Sequence, residues 1–319
     1  MNKRTRVLNA LKGKEVDKVP VSFWYHFTGK EAQGRECVNA HIRYYLETDT
    51  DFIKIMSDGF FGYPLEHEIK KASDWNRVKP QGKNSKYIQE QLERVKLINE
   101  ELKGSCCTFY NVFAPFSIIR FASSDEMVMK HLKEDKKAVI SAMNAIAEDN
   151  GLLAELVIRE GGCDGIYMPL QGGELDRFTF DEYRELITPT DLAVLERANE
   201  ISGYNIAHLC AWAGYKNRLE LWKDYPATAF NWSVFIEEMS LAEGRDFFGG
   251  KTVIGGFDNR ETGILFSGTE TEIKNYTKNL LDEFGTGQGL IIGADCTLSS
   301  KINIKNIGYV VEAVEEYFK

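Results

Sequence analysis

The sequence predicts a single (β/α)8 TIM barrel domain spanning residues 1–319, and three observations carry that expectation. Eight short apolar runs recur along the chain, and segments of helical spacing separate them. No run is followed by the G-x-G-x-x-G or P-loop turn that a doubly wound nucleotide-binding sheet carries. The runs are KVPVSFWY (18–25), DFIKIMS (51–57), CCTFYNVF (106–113), GCDGIYMPL (162–170), YNIAHLC (204–210), ATAFNWSV (227–234), KTVIGGF (251–257) and GLIIGAD (289–295). Most are apolar on both faces, as strands of a covered parallel sheet are.

Helical spacing is clearest in three segments. Ile88, Leu92, Val95, Asn99 and Leu102 share a face before the third run; Ile273, Tyr276, Leu280 and Phe284 do so before the eighth. Ile307, Val310, Val311, Val314 and Phe318 repeat the pattern at the end of the chain. Capping boxes are expected at Ser123 with Glu126, Thr179 with Glu182 and Thr269 with Glu272, and Pro189 reads as the first turn of a helix. No repeat, low-complexity tract or Pro/Ser linker divides the chain.

Composition narrows the function classes. A net charge of -9 argues against a nucleic-acid groove, and no window approaches a membrane-spanning length of apolar residues. The start, MNKRTRVLNALKGK, is charged and amphipathic, unlike a secretory signal. Cysteines 37, 106, 107, 163, 210 and 296 are scattered and do not read as a disulfide framework. The expectation is a reduced, cytoplasmic protein.

A barrel places chemistry at the carboxyl ends of its strands. Those ends offer His26, Asp58, Asn111, Gln171 with Glu174, His208 with Cys210, Asn231 with Trp232, Asp258, and Asp295 with Cys296. Residues i and i+2 of a strand face one side, their Cα atoms about 6.6 Å apart, so His208 and Cys210 can turn to one point. Cys296 reaches the same rim from the last strand. Imidazole with two thiolates is a set that zinc favours, and three protein ligands leave a fourth position open for catalysis. A strand-end cysteine is also a common packing residue, so the pattern alone leaves both readings open. Cys106, Cys107 and Cys163, at strand starts, read as packing.

Several stretches resemble the uroporphyrinogen decarboxylase superfamily: RTRVLNALKGKEVDKVPVSFW, FIKIMSDG, NVFAPFSII, HLCAW and GADCTLSSKINIKNIGYVVEAV, in order along nearly the whole chain. The branch it resembles most is the zinc-dependent, corrinoid-linked methyltransferases of the methylcobamide:coenzyme M methyltransferase kind. Their H-x-C…C zinc motif is matched position by position by His208, Cys210 and Cys296. The resemblance implies a Zn2+ enzyme that moves a methyl group between a methylcorrinoid and a thiol such as coenzyme M or a folate-type acceptor. No histidine here has an aspartate two residues before it, so the D-x-H-x-x-G signature of a corrinoid carrier is absent. The methylcorrinoid would therefore come on a separate corrinoid protein. The expected partners are that protein and a small-molecule methyl acceptor, with a homodimer as a further possibility.

The chain departs from the decarboxylases proper. Where they carry an R-Q-A-G-R-type stretch for substrate carboxylates, this sequence has FWYHFTGKEAQGRE, with only Lys30 and Arg35 as nearby cations. Cys296 stands where they have a histidine. Asp58, in SDG, matches their pyrrole-binding aspartate, and with Asn111, Gln171 and Asp258 it forms the expected substrate-binding set. Two alternatives accompany the methyltransferase reading. One is a metal-free decarboxylase of a pyrrole-like acid using Asp58 with His26 or Arg120; the other is a non-catalytic barrel that binds zinc or a corrinoid protein.

Overall fold

Seven of the eight apolar runs pair into one curled parallel sheet. The computed structural model describes residues 1–285 and 287–319. Its strands β1 (Phe52–Ile55), β2 (Cys107–Asn111), β3 (Gly165–Leu170), β4 (Ile206–Leu209), β5 (Ala229–Trp232), β6 (Thr252–Phe257) and β7 (Leu290–Ala294) lie side by side in chain order. Each joins the next in parallel, with His208 opposite both Pro169 of β3 and Asn231 of β5.

Residues 18–25 differ from the expected eighth strand, and the reason lies in two side chains. The segment meets the β7 end of the sheet through isolated parallel bridges, Val21 with Ile292 and, past the strand, Tyr25 with Leu298, and it meets β1 by hydrogen bonds alone. Toward β7, Ser22 N–H donates to the Ile292 carbonyl and Ile292 N–H to that of Pro20, both at 2.9 Å. Toward β1, the Val21 N–H goes instead to the Asp51 carboxylate at 2.8 Å, and the Ser22 hydroxyl takes the Phe52 carbonyl at 2.8 Å. Side chains thus occupy ladder positions, and Pro20 has no N–H to give. The architecture is TIM-barrel-like, with seven ladder strands and this segment bonded to both edges.

The helices are α1 (Lys3–Leu11), α2 (Gly34–Thr48), α3 (Lys86–Leu102), α4 (Pro115–Ala122), α5 (Asp125–Glu134), α6 (Lys136–Arg159), α7 (Phe180–Leu186), α8 (Thr188–Asn199), α9 (Val234–Glu237), α10 (Leu241–Phe247), α11 (Ile264–Ser267), α12 (Glu270–Phe284) and α13 (Ile304–Tyr317). They cover the outside of the sheet, so every residue of all seven strands is buried, which is why these runs lack a polar alternation. Among the described residues no helix is long and apolar enough to cross a membrane.

Local signals hold with two corrections. The capping boxes Thr179–Glu182 and Thr269–Glu272 form, and Pro189 sits in the first turn of α8. Ser123 does not open a helix: it ends α4, and Ser124 caps α5 by accepting from the Met127 N–H. In α12 the buried line is Ile273, Thr277 and Leu281, while Tyr276, Leu280 and Phe284 are partly covered at its flank. The helix is wedged between α13 and α10, so burial centres between the two apolar rows. A Ser240–Glu243 box opens α10 as well.

Candidate functional site

Parallel strands deliver their last residues to one rim, and three soft donors meet there. His208 is the third residue of β4, Cys210 follows its end, and Cys296 lies two residues beyond β7. One ligand atom from each falls within 4.8 Å of the others, with Cys296 Sγ 3.4 Å from His208 Nε2. It is the one such His/Cys/Asp/Glu group among the described residues. Two thiols so close share their protons unequally. Cys210, donating to Cys296 and partly withdrawn from solvent, is raised well above the ordinary thiol range. Cys296, receiving from Cys210 and lying beside His208 and Lys54, is held well below it.

Two of the three donors are positioned by neighbours outside the triad. The His208 ring stacks on Tyr167 of β3 at 5.5 Å between centroids. Tyr167 in turn donates its hydroxyl to Asn231 Oδ1 at 2.6 Å, while Asn231 Nδ2 holds the Ile254 and Ala294 carbonyls at 2.8 and 3.1 Å. Gln171 Nε2 approaches Cys210 Sγ at 3.9 Å, and Gln171 Oε1 accepts from Arg120 at 3.4 Å. Arg120 is itself fixed by Glu174 at 3.0 Å and by the Trp212 ring, 3.8 Å from its guanidinium carbon. Replacing Gln171 by leucine keeps the volume but removes both contacts. If the triad holds a metal, its affinity is expected to fall about 10–100-fold on losing this supporting partner, read by competition with a chelating dye.

The loop behind Gln171 turns on two glycines. Gly172 has φ +89°, and a Cβ on Gly173 would lie 2.2 Å from the Trp222 ring. Trp222 cannot retreat, because its Nε1 donates to the Tyr183 hydroxyl at 2.9 Å, itself 3.1 Å from the Gln171 carbonyl. Gly173→Ala is expected to cost about 1–3 kcal/mol by overpacking, measured by urea unfolding.

Lys54 is the residue sequence reasoning missed. It projects from β1 among aromatic rings, its Nζ 3.8 Å from the Tyr167 centroid and 5.1 Å from that of Trp24. It is 4 % exposed and forms no ion pair among the described residues. Burial pushes the ammonium down to about 7, against the attraction of Cys296, Cys210 and Asp58. The one charge inside the run FIKIM was the signal: a lysine in a strand covered on both faces needs a reason to be there.

The expected substrate-binding residues fare differently. Asp58 is close to the rim but fully engaged: Oδ1 lies 2.7 Å from His26 Nδ1, and Oδ2 accepts the Phe27 N–H at 2.7 Å. Asn111 donates to Ser57 Oγ at 2.8 Å and leaves its Oδ1 buried without a protein partner. Gln171 reaches the triad. Asp258 forms a two-pronged ion pair with Arg260, at 2.7 Å for the shorter contact, at the end of β6. Glu174, another of the strand-end residues, is committed to Arg120 and Arg177. Asp295 Oδ1 has no protein partner, and burial raises this carboxyl to about 8. Trp232 packs outward, donating to the Met239 carbonyl. Cys106, Cys107 and Cys163 are buried packing residues, as expected. A cavity of about 750 Å3 opens between Glu174, Arg177, Trp212, Tyr215 and Met129; no triad residue lines it, and Trp212, two residues past Cys210, is its link to that loop.

A barrel-like parallel sheet with an imidazole and two thiols converging at its mouth defines a class, that of α/β proteins built to act at strand ends. Within that class the chain belongs to the uroporphyrinogen decarboxylase (URO-D) family, whose model matches residues 62–317. No curated protein matches the chain. Among solved structures it is similar to a methyltransferase from Methanosarcina mazei, at TM-score 0.76 and 18% identity, with 100% of both chains covered. It is also similar to a putative vitamin-B12 independent methionine synthase from Listeria monocytogenes (TM-score 0.55, 12% identity, 88% of this chain and 87% of that one). A beta-mannanase from the blue mussel Mytilus edulis is a further neighbour (TM-score 0.52, 10% identity, 92% and 91%). Their differing activities show that likeness at this identity is likeness of fold.

Proposed function

We infer that the protein is a zinc-dependent methyltransferase, moving a methyl group between a corrinoid on a separate protein and a thiol acceptor, with His208, Cys210 and Cys296 holding the metal. The observation that supports it most is the convergence of three soft donors within 4.8 Å at the ends of β4 and β7. Tetrahedral zinc with ordinary Zn–S and Zn–N bonds needs its donors about 3.6–3.8 Å apart, so the set fits with little movement. Membership of the URO-D family and a methyltransferase neighbour matched over its full length support the same reading.

Bound there, zinc would supply a Lewis acid that keeps an acceptor thiol deprotonated and nucleophilic. The chain's own groups prepare the place. His208 Nε2 and the two Sγ atoms face one another; Gln171 and Tyr167 hold Cys210 and His208 in orientation. Lys54 offsets the negative charge that two thiolates bring into a buried site. Exposed Leu175 and Tyr215 flank the mouth and offer apolar surface to a docking corrinoid protein. A folate-type acceptor would use the same metal without a thiolate. The metal-free decarboxylase has less support, because both Asp58 oxygens are bonded and Arg35 is paired with Glu101 at the surface.

Elemental analysis of protein purified under reductant without chelator, followed by methyl transfer from methylcobalamin to a panel of thiols, tests the reading. About one zinc per chain with thiol methylation is the expected result. Metal-free protein that methylates no thiol after zinc is added back would overturn it.

A further inference from the structure

The His26–Asp58 pair has the geometry of a proton acceptor with its orienting carboxylate. Asp58 is almost completely buried, its side chain 3 % exposed, whereas that of His26 is 43 % exposed. One carboxylate oxygen faces His26 Nδ1 at 2.7 Å, the other receives the Phe27 N–H, and the Asp58 carbonyl is held by Arg94 at 2.9 Å. A carboxylate accepts only, so Nδ1 of His26 carries a proton, and in the neutral ring it is then Nε2 that keeps a lone pair. Phe61 packs edge-on against the ring at 5.4 Å and limits its rotation. The pair stands at the mouth: Tyr25, the preceding residue, bridges to Leu298, two residues past Cys296. One strand spacing, about 4.8 Å, therefore separates the backbone at Tyr25, next to His26, from Leu298, two residues along the loop from Cys296. The charged groups packed near the pair are Lys54, whose field includes Asp58, and Arg94, which holds backbone oxygens.

We propose that His26 is a catalytic residue which takes the proton of the acceptor thiol, and that Asp58 is its positioning residue. The proposal rests on the methyltransferase reading. In the step, the S–H bond breaks and its proton passes to His26 Nε2. The sulfur pair forms the new S–C bond, and the methyl–cobalt bond breaks with its electron pair left on the corrinoid. Two thiolate ligands blunt the acidity a zinc ion lends to a third thiol, which is why a separate base has work to do at this mouth.

The test joins a spectroscopic and a kinetic readout on the full chain. Nitrogen NMR of the metal-free protein should show His26 protonated at Nδ1 and bare at Nε2, a pattern lost in Asp58→Asn. With methylcobalamin as donor, His26→Ala and His26→Gln should keep their zinc yet lose about 10²-fold or more with an alkanethiol protonated at neutral pH. They should lose under about threefold with an arenethiol already ionised there, and free imidazole should restore the alkanethiol rate of His26→Ala. A wild-type Nε2–H tautomer, equal losses for both thiols or no rescue by imidazole would overturn the role of His26 alone. Failure of the zinc-loaded wild-type protein to methylate any thiol would overturn the methyltransferase reading, and this role with it.

Discussion

Cys296→Ala is expected to yield a folded protein with less than about a tenth of the wild-type zinc and no measurable thiol methylation. The residue supplies the one donor that comes from β7, so its loss leaves two ligands from β4, too few for a catalytic zinc site. The loss in metal affinity should exceed the roughly 10–100-fold that follows removal of an outer-shell partner. His208→Ala should behave alike, whereas Cys163→Ala, at a buried thiol away from the triad, should keep its zinc. The comparison separates ligation from packing, since all three substitutions shorten a side chain inside the fold. Elemental analysis of the three proteins, with circular dichroism as a control for folding, reads the result. Zinc retained in Cys296→Ala and His208→Ala would sink the assignment.

Asp191→Asn should remove most of one pH-dependent loss of stability. Asp191 of α8 is fully buried, with the Tyr183 and Tyr225 hydroxyls 3.2 and 3.0 Å from Oδ2. Burial raises its carboxyl from 3.8 to about 7. Below pH 4 the acid is neutral folded or unfolded and adds no penalty. As pH rises toward 7 the unfolded chain ionises while the folded one keeps its proton, so folding becomes progressively less favourable. The window is therefore pH 4 to 7, and its full depth is about 4 kcal/mol as an upper bound. Asparagine does not titrate, so the difference in unfolding free energy between the two proteins should shift by a few kcal/mol in the variant's favour across that window. Other buried acids such as Asp164 and Glu237 titrate in both proteins and cancel in the difference. Urea unfolding at several pH values measures it; a constant difference would mean that Asp191 is ionised in the fold. The outcome bears on the site, because Tyr183 also meets the Gln171 carbonyl.

Much of this molecule is written locally. Helix spacing, the capping boxes at Thr179 and Thr269, and seven of the eight strands are legible because each depends on residues within a few positions of one another. The His208–Cys210 pair is legible for the same reason, since strand alternation alone aims both at one point. Cys296 was found as a strand end, by the regularity of barrels rather than by any contact visible in the sequence.

What the sequence by itself determined is the alternation of strand and helix, the rim on which chemistry sits, and the three soft donors offered to it. Tertiary structure alone decided how the offers are used. It turned residues 18–25 from a ladder strand into a bridged segment, because Asp51 and Ser22, from different runs, supply the bonds in side-chain form. It engaged Asp58 with His26 and Asp258 with Arg260, leaving Gln171 to meet Cys210. It also set Lys54 against Tyr167, in the field of Cys296, Cys210 and Asp58. Such choices depend on distances of a few ångströms between residues far apart in the chain, and only the folded backbone sets those distances.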